Sequence, residues 1–330
     1  MINFIPRSLG IILLSFVVMP GSSWRQELRL KDVPPTGIDP NGFKTLPLDA
    51  TQRANLEQAV KSRDYTRAEN LLVQEIERQP KSPALLILLA RIFFLDGKYL
   101  NCAIAIKKAE ALAPLEDPNR FTLALAYIIL NHRDWARPEL EKLAHSDPRN
   151  PLYPYWLGRL DYDAMQFKAA VAKLQKALEL DPNFMKGYDN LGLCYEALGQ
   201  YDDAIRIYQQ AIRLNSQQQL PSPWPPLNLA TLLIKLGRLE EAETYLQESL
   251  RYDPRFPKAH YQMGLLLGKQ KKDNEALREL SQAAALDPTY PEPHYLLGKI
   301  YQRMGDHLKA ETAWATFQKL KKEKRDERPH

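Results

Sequence analysis

Between residues 49 and 324, apolar positions recur at helical spacing in paired segments, each pair broken at a short polar turn. The stretch "NLGLCYEALGQYDDAIRIYQQAIRLN", from Asn190 to Asn215, is one such pair, with its break at Gly199. Nearly the same pattern returns as "NLATLLIKLGRLEEAETYLQESLRYDP" from Asn228 to Pro254, and as "QMGLLLGKQKKDNEALRELSQAAALDP" from Gln262 to Pro288. Each copy predicts two amphipathic helices joined by a turn. A segment recurring at a fixed period predicts one building block of a stack.

Proline sets the frame. Pro80, Pro114, Pro148 and Pro182 fall 34 residues apart, as do Pro254 and Pro288. The 72 residues between Pro182 and Pro254 make two periods plus four, and the extra four are Gln219, Leu220, Pro221 and Ser222 in the run "LPSPWPP". Eight units follow: 49–82, 83–116, 117–150, 151–184, 185–218, 223–256, 257–290 and 291–324. Proline cannot donate a helical hydrogen bond but suits a first turn, so it ends one unit and opens the next.

The twentieth place of every unit is small: Ala68, Cys102, Ala136, Ala170, Ala204, Ala242, Ala276 and Ala310. The eighth place is Leu56 in the first unit and then Ala90, Ala124, Gly158, Gly192, Ala230, Gly264 and Gly298. Two small columns at these places predict a close crossing of the two helices. The twenty-fourth place, with Leu72, Ile106, Leu140, Leu174, Tyr208, Leu246, Leu280 and Trp314, supplies the large side chains that fill the space around it. Two units depart from the pattern, the first at Asn55, Leu56 and Glu75 and the last at Phe317, as expected of terminal units with one neighbour. Pro138 falls inside a second helix and predicts a local kink.

These columns resemble the tetratricopeptide repeat (TPR), a helix-turn-helix unit of the same period. The resemblance implies an all-α fold, an α/α superhelical solenoid of about eight units, in which no pair buries its own apolar face and each covers its neighbour.

The remaining segments are short. Arg7, the apolar run from Leu9 to Met19, Pro20 and the small residues Gly21 to Ser23 have the order of a secretory signal peptide, so residues 1–23 predict export with cleavage near Ser23. The run is shorter than the ~20 apolar residues of a membrane-spanning helix. An uncleaved N-terminal membrane anchor is the alternative, and then the only membrane contact expected. Residues 24–48, with Pro34, Pro35, Pro40 and Pro47, predict an extended leader, and residues 325–330 a charged tail. The predicted location is extracytoplasmic, periplasmic or secreted.

Forty-five basic and 40 acidic residues, interspersed, do not form the basic cluster a nucleic-acid binder needs. There is no phosphate-cradling glycine loop, HExxH, CxxC or GxSxG, which predicts no enzyme, no cofactor and no small-molecule substrate. Cys102 and Cys194 lie three units apart, far beyond the ~7 Å between Cα atoms that a disulfide spans, and are expected free and buried. His260 and His294 share the fourth, packing place of successive units, so no metal site is expected, and Glu240, Glu241 and Glu243 sit on a solvated face, where no acid–base role is expected.

What remains is a binding surface. In the family that the chain resembles, first helices line a concave groove, and places two, five, six, nine, twelve and thirteen contact an extended peptide or a partner helix. Carried over, units two to four present Ile87, Arg91, Phe94, Phe121, Leu125, Ile128, Tyr155, Arg159 and Tyr162, an apolar and aromatic stripe. Units five and six present Asn190, Trp224, Asn228 and Lys235, and units seven and eight Lys258, Tyr261, Lys269, Tyr295, Lys299 and Arg303. Aromatics among basic residues favour an acidic peptide. Asn190 and Asn228, at the sixth place of neighbouring units, resemble the asparagine ladder of O-linked N-acetylglucosamine transferases, which implies pairing with a peptide backbone. The expected partners are proteins or peptides. The role expected is a scaffold of the cell envelope, a substrate-presenting or assembly subunit of a separate envelope machine, or a membrane-tethered adaptor.

Overall fold

The computed structural model describes residues 46–326; the expected signal peptide, most of the leader and the last four residues lie outside the described residues. The described residues form sixteen α-helices and no strand. They divide at Gln218, beside the four-residue insertion, into two compact bodies.

In the first body the helix pairs are α1 (Ala50–Lys61) with α2 (Tyr65–Arg78), α3 (Pro83–Leu95) with α4 (Tyr99–Glu110), and α5 (Asp117–Ile129) with α6 (Arg133–Ser146). Two more follow, α7 (Leu152–Asp163) with α8 (Phe167–Leu180) and α9 (Met185–Ala197) with α10 (Tyr201–Ser216). The second body holds α11 (Trp224–Lys235) with α12 (Leu239–Tyr252), α13 (Pro257–Lys269) with α14 (Asp273–Leu286), and α15 (Pro291–Arg303) with α16 (His307–Asp326). Within each body, every pair packs on the next.

Local chemistry explains where the helices start. Proline occupies the first turn of α3, α5, α11, α13 and α15. Asp49 caps α1 in a capping box, accepting from the Gln52 amide at 2.8 Å while its own amide donates to Gln52 Oε1 at 2.9 Å. Before four later units an aspartate precedes proline and accepts the amide two residues on, as Asp181 does from Asn183 at 2.9 Å. Asp147, Asp253 and Asp287 repeat this turn.

Between the helices of each pair, the fifteenth residue takes a left-handed backbone. Gly97, Gly199, Gly237 and Gly305 do so at φ of 75° to 83°, and Arg63, Asn131, Met165 and Lys271 at 58° to 64°. The turn geometry is therefore common to all eight units, while only four carry the residue that adopts it without strain.

The close crossing lies where the small columns place it. All eight residues of the twentieth place are buried. A Cβ added to Gly192 lies 2.5 Å from the Tyr208 ring, and one added to Gly298 lies within 2.7 Å of three Trp314 ring atoms. The two units with an aromatic at the twenty-fourth place thus both need glycine at the eighth. Glu75, in a column small or apolar in the next six units, is buried with its carboxylate accepting from Gln52 Nε2 at 2.8 Å, Arg78 Nη1 at 3.1 Å and Gln79 Nε2 at 2.6 Å. Helix α6 continues through Pro138.

Two stability predictions follow from these contacts. Gly192→Ala is expected to destabilise the protein by about 1–3 kcal/mol in chemical denaturation through overpacking against Tyr208. In a Tyr208→Leu background the cost should shrink, because Ala124 and Leu140 coexist at the same two places. Met165→Gly, at an exposed left-handed turn, should raise stability by about 0.5–1 kcal/mol.

Candidate interaction surface

The first-helix residues singled out by the repeat have different fates in the two bodies. In the first body most of the apolar stripe is consumed by packing. Phe94, Phe121, Leu125, Ile128 and Tyr155 are buried. The ring of Phe94 meets Tyr99 edge-on at 5.2 Å, Phe121 lies 5.7 Å from Tyr153, and Tyr155 meets Phe184 edge-on at 4.9 Å. Phe94 packs within its own pair, Phe121 reaches the next pair, Tyr155 reaches Phe184 just ahead of α9, and all five belong to the core of this body, so the expectation that they present a partner-binding stripe is corrected. Only Ile87, Arg91 and Tyr162 stay half-buried there.

Polar members of the same set are also engaged internally. Arg91 Nη2 donates to Asn119 Oδ1 of the next unit at 3.0 Å. Arg159 is buried and donates to Asn190 Oδ1 at 2.5 Å. The Asn190 amide nitrogen donates to Tyr155 Oη at 3.3 Å and to the Lys186 carbonyl at 2.9 Å. Asn190 is buried, with both amide hydrogens committed and its oxygen accepting from Arg159, so it does not present a rung to a peptide backbone, and the two-rung ladder expected with Asn228 is corrected.

The second body keeps its surface. Trp224 is half-buried, edge-on to Phe256 at 4.9 Å, with Lys258 Nζ 4.4 Å from its ring centre. Tyr261 lies 5.3 Å from Tyr290, and Tyr295 lies 5.3 Å from Phe317 with Lys299 Nζ over its ring at 5.6 Å. Lys235, Lys269 and Arg303 share the thirteenth place of successive units and are exposed; Arg303 pairs with Asp273 and donates to the Gly268 carbonyl at 3.2 Å. Asn228 is half-buried on the same helix as Trp224 and Lys235. Burial pushes the Tyr261 and Tyr290 hydroxyls up, so both stay neutral hydrogen-bonding groups.

Four residues of this surface escape a reading by groove places alone: Tyr290, Phe317, Lys321 and Lys324. Lys321 Nζ lies over Phe317 at 5.5 Å and Lys324 Nζ over Tyr290 at 6.0 Å. Both lysines depend on α16 running to Asp326, where the other second helices stop after fewer residues. The signal in the sequence is Phe317, an aromatic in a column that holds no ring in any other unit.

The groups with chemical potential are quiet. Cys102 and Cys194 are free and buried, and burial pushes both thiols up to about 12, so neither supplies a thiolate near neutral pH. His260 Nδ1 lies 2.7 Å from Glu279 Oε2, and its Nε2 lies 3.0 Å from the Pro254 carbonyl. Both ring nitrogens face acceptors, which the protonated imidazolium alone satisfies, and the Glu279 contact raises its pKa. His294, at the equivalent place, has Ala313 where Glu279 stands, and burial lowers its pKa. Glu240 and Glu241 are exposed, and Glu241 pairs with Arg238. Among the described residues, no group of three His, Cys, Asp or Glu is placed to hold a metal ion, and no helix is long and apolar enough to cross a membrane.

Comparison with known proteins gives four matches to repeat-family models. Tetratricopeptide repeat models match residues 57–117, 173–206 and 196–266, and a TPR repeat model matches residues 269–305. The TPR repeat-containing protein YpiA of Bacillus subtilis (strain 168) is 26% identical over 207 residues, 62% of this chain and 48% of YpiA. The chain thus spans about half the length of that curated relative. Among solved structures, a tetratricopeptide repeat protein from Parabacteroides merdae ATCC 43184 superposes with a TM-score of 0.64 at 17% identity, covering 79% of this chain and 99% of the other. PilW, a type IV pilus biogenesis factor, superposes with a TM-score of 0.56 at 20% identity, covering 62% of this chain and 94% of PilW. These likenesses establish a solenoid of helical repeats.

Phe121→Ala and Tyr155→Ala are expected to act on stability, each costing on the order of 2–5 kcal/mol in denaturant titrations because each opens a cavity in a seam. In an NMR titration, His260 should have its midpoint above the ordinary histidine value of about 6.5 and His294 below it. The His260 contribution to stability, made with Glu279 and nearby Asp253, is full below about pH 6.5 and is lost as pH rises through the raised pKa. Glu279→Gln, which removes the largest of these causes, should shrink that dependence.

Proposed function

The chain belongs to the tetratricopeptide repeat family, and from that premise we propose that it is a non-catalytic scaffold of the cell envelope that binds protein or peptide segments along its first helices. The observation that carries the reading is the surface of the second body. Trp224, Lys258, Tyr261, Lys269, Tyr295 and Lys299 stay at least partly accessible at recurring places, where their counterparts in the first body are largely spent on packing. Aromatic and basic side chains held by a rigid repeat are suited to anchoring a partner segment. Protonated buried thiols and an imidazole held between two acceptors offer no nucleophile or base, which supports a role supplying geometry and not chemistry.

The envelope location rests on the order of Arg7, a short apolar run and Gly21 to Ser23. Mass spectrometry of the protein from its own cells should find the first 23 residues absent; an intact Met1 on cytoplasmic material would contradict export. A photo-crosslinking residue at Tyr261 or Lys269 should give discrete protein adducts in the native envelope, while one at exposed Arg278 on α14 should not. Adducts confined to Arg278 would move the binding surface to the second helices.

A further inference from the structure

At junctions inside each body, side chains of one helix pair are held by the next. At the ninth place, Arg91 donates to Asn119 and Arg159 to Asn190. At the twenty-first place, Glu69 accepts from Lys98 at 2.8 Å, Arg137 donates to Asp161 at 2.6 Å, and Glu243 accepts from Gln270 at 3.5 Å. At the twenty-seventh place, residues such as Ala109, Leu143 and Ala283 are buried.

The last pair, α15 with α16, offers the same places with no described pair after it. Lys299 stands at the ninth place, exposed Glu311 at the twenty-first, and half-buried Phe317 at the twenty-seventh. Beside Phe317 lies Tyr295, 44% exposed. The Lys299 ammonium sits over Tyr295, that of Lys321 over Phe317 and that of Lys324 over Tyr290. Among the described residues, no carboxylate lies within ion-pair distance of these three lysines; Glu323 reaches Lys319 instead, and Glu292 bears on Tyr261 and Tyr290.

We propose that this end face docks an acidic, amphipathic segment of a partner protein, in the place that a following pair's first helix takes at inner junctions. The inference rests on the scaffold reading and names its partner chemistry. Tyr295 and Phe317 supply an apolar seat, and three lysines around it attract carboxylates on the segment's edges. A phosphate polymer is the poorer fit, because three cations are few for it.

The test measures binding of a fluorescent helical peptide of about four turns, leucines on one face and glutamates on the other, to the full chain. The peptide should bind, weaken as salt rises, and bind about tenfold or more tightly than its glutamine analogue. K299E/K321E/K324E should cost about tenfold or more in affinity, and Phe317→Ala should weaken binding without changing the salt slope. K168E/K173E, at exposed positions of α8, should leave binding unchanged, and circular dichroism should show every variant folded. Peptide binding indifferent to the triple reversal overturns the proposal. So does failure of the glutamate peptide to bind while anionic phosphatidylserine vesicles or a single-stranded oligonucleotide bind through those lysines. If either result comes with crosslinks from Tyr261 and Lys269, the end face is discarded and the scaffold reading stands; without those crosslinks both fall.

Discussion

Everything in this structure depends on how closely two helices approach at the eighth and twentieth places of each unit. Helices carrying alanine or glycine at a crossing bring their backbones near enough for one large side chain at the twenty-fourth place to seal the pair. Where that side chain grows to Tyr208 or Trp314, the residue across from it shrinks to Gly192 or Gly298. The adjustment is local, made within one unit. Single residues at the fifteenth place are held left-handed even where they are arginine, methionine or lysine, because packing on both sides overrides their preference.

A pair built this way still exposes one apolar flank, and how that flank is covered decides which side chains are left for function. In the first body the core takes Phe94, Phe121, Leu125 and Tyr155, and an arginine–asparagine pair closes the α7–α9 seam around Arg159 and Asn190. In the second body, the first helices carry rings with lysines above them, an arrangement that tolerates water on one side. Packing and recognition thus draw on the same places of the repeat, and the residue type at each place settles which use prevails.

The repeat was legible because its period is strict: the small columns and the prolines place the first helices within one residue of their observed starts. Pro138 and Glu75 were visible as anomalies; of the donors around Glu75, Arg78 and Gln79 lie at helical spacing from it, but Gln52, on the other helix of the pair, is connected to it by no periodicity. The surface was legible only in part. Whether the ninth place faces a groove or a seam depends on the rotation of one pair against the next, a tertiary property, and so Leu125 and Arg159 were expected at a surface and lie buried. Asn190 matches a recognition pattern, yet Arg159, a unit away, takes its oxygen. Lys321 and Lys324 were out of reach, since their positions rest on the extension of α16 beyond the length of the other second helices.

The account's central claim is that each pair is stable only because its neighbour covers it. Native-state hydrogen exchange on Ala204→Leu, which forces a large side chain into the buried crossing of α9 and α10, tests it most directly. The account predicts that amides in α7 and α8 lose protection together with those of α9 and α10, since the two pairs share a seam. Loss confined to α9 and α10, with α7 and α8 protected as in the parent protein, would contradict it.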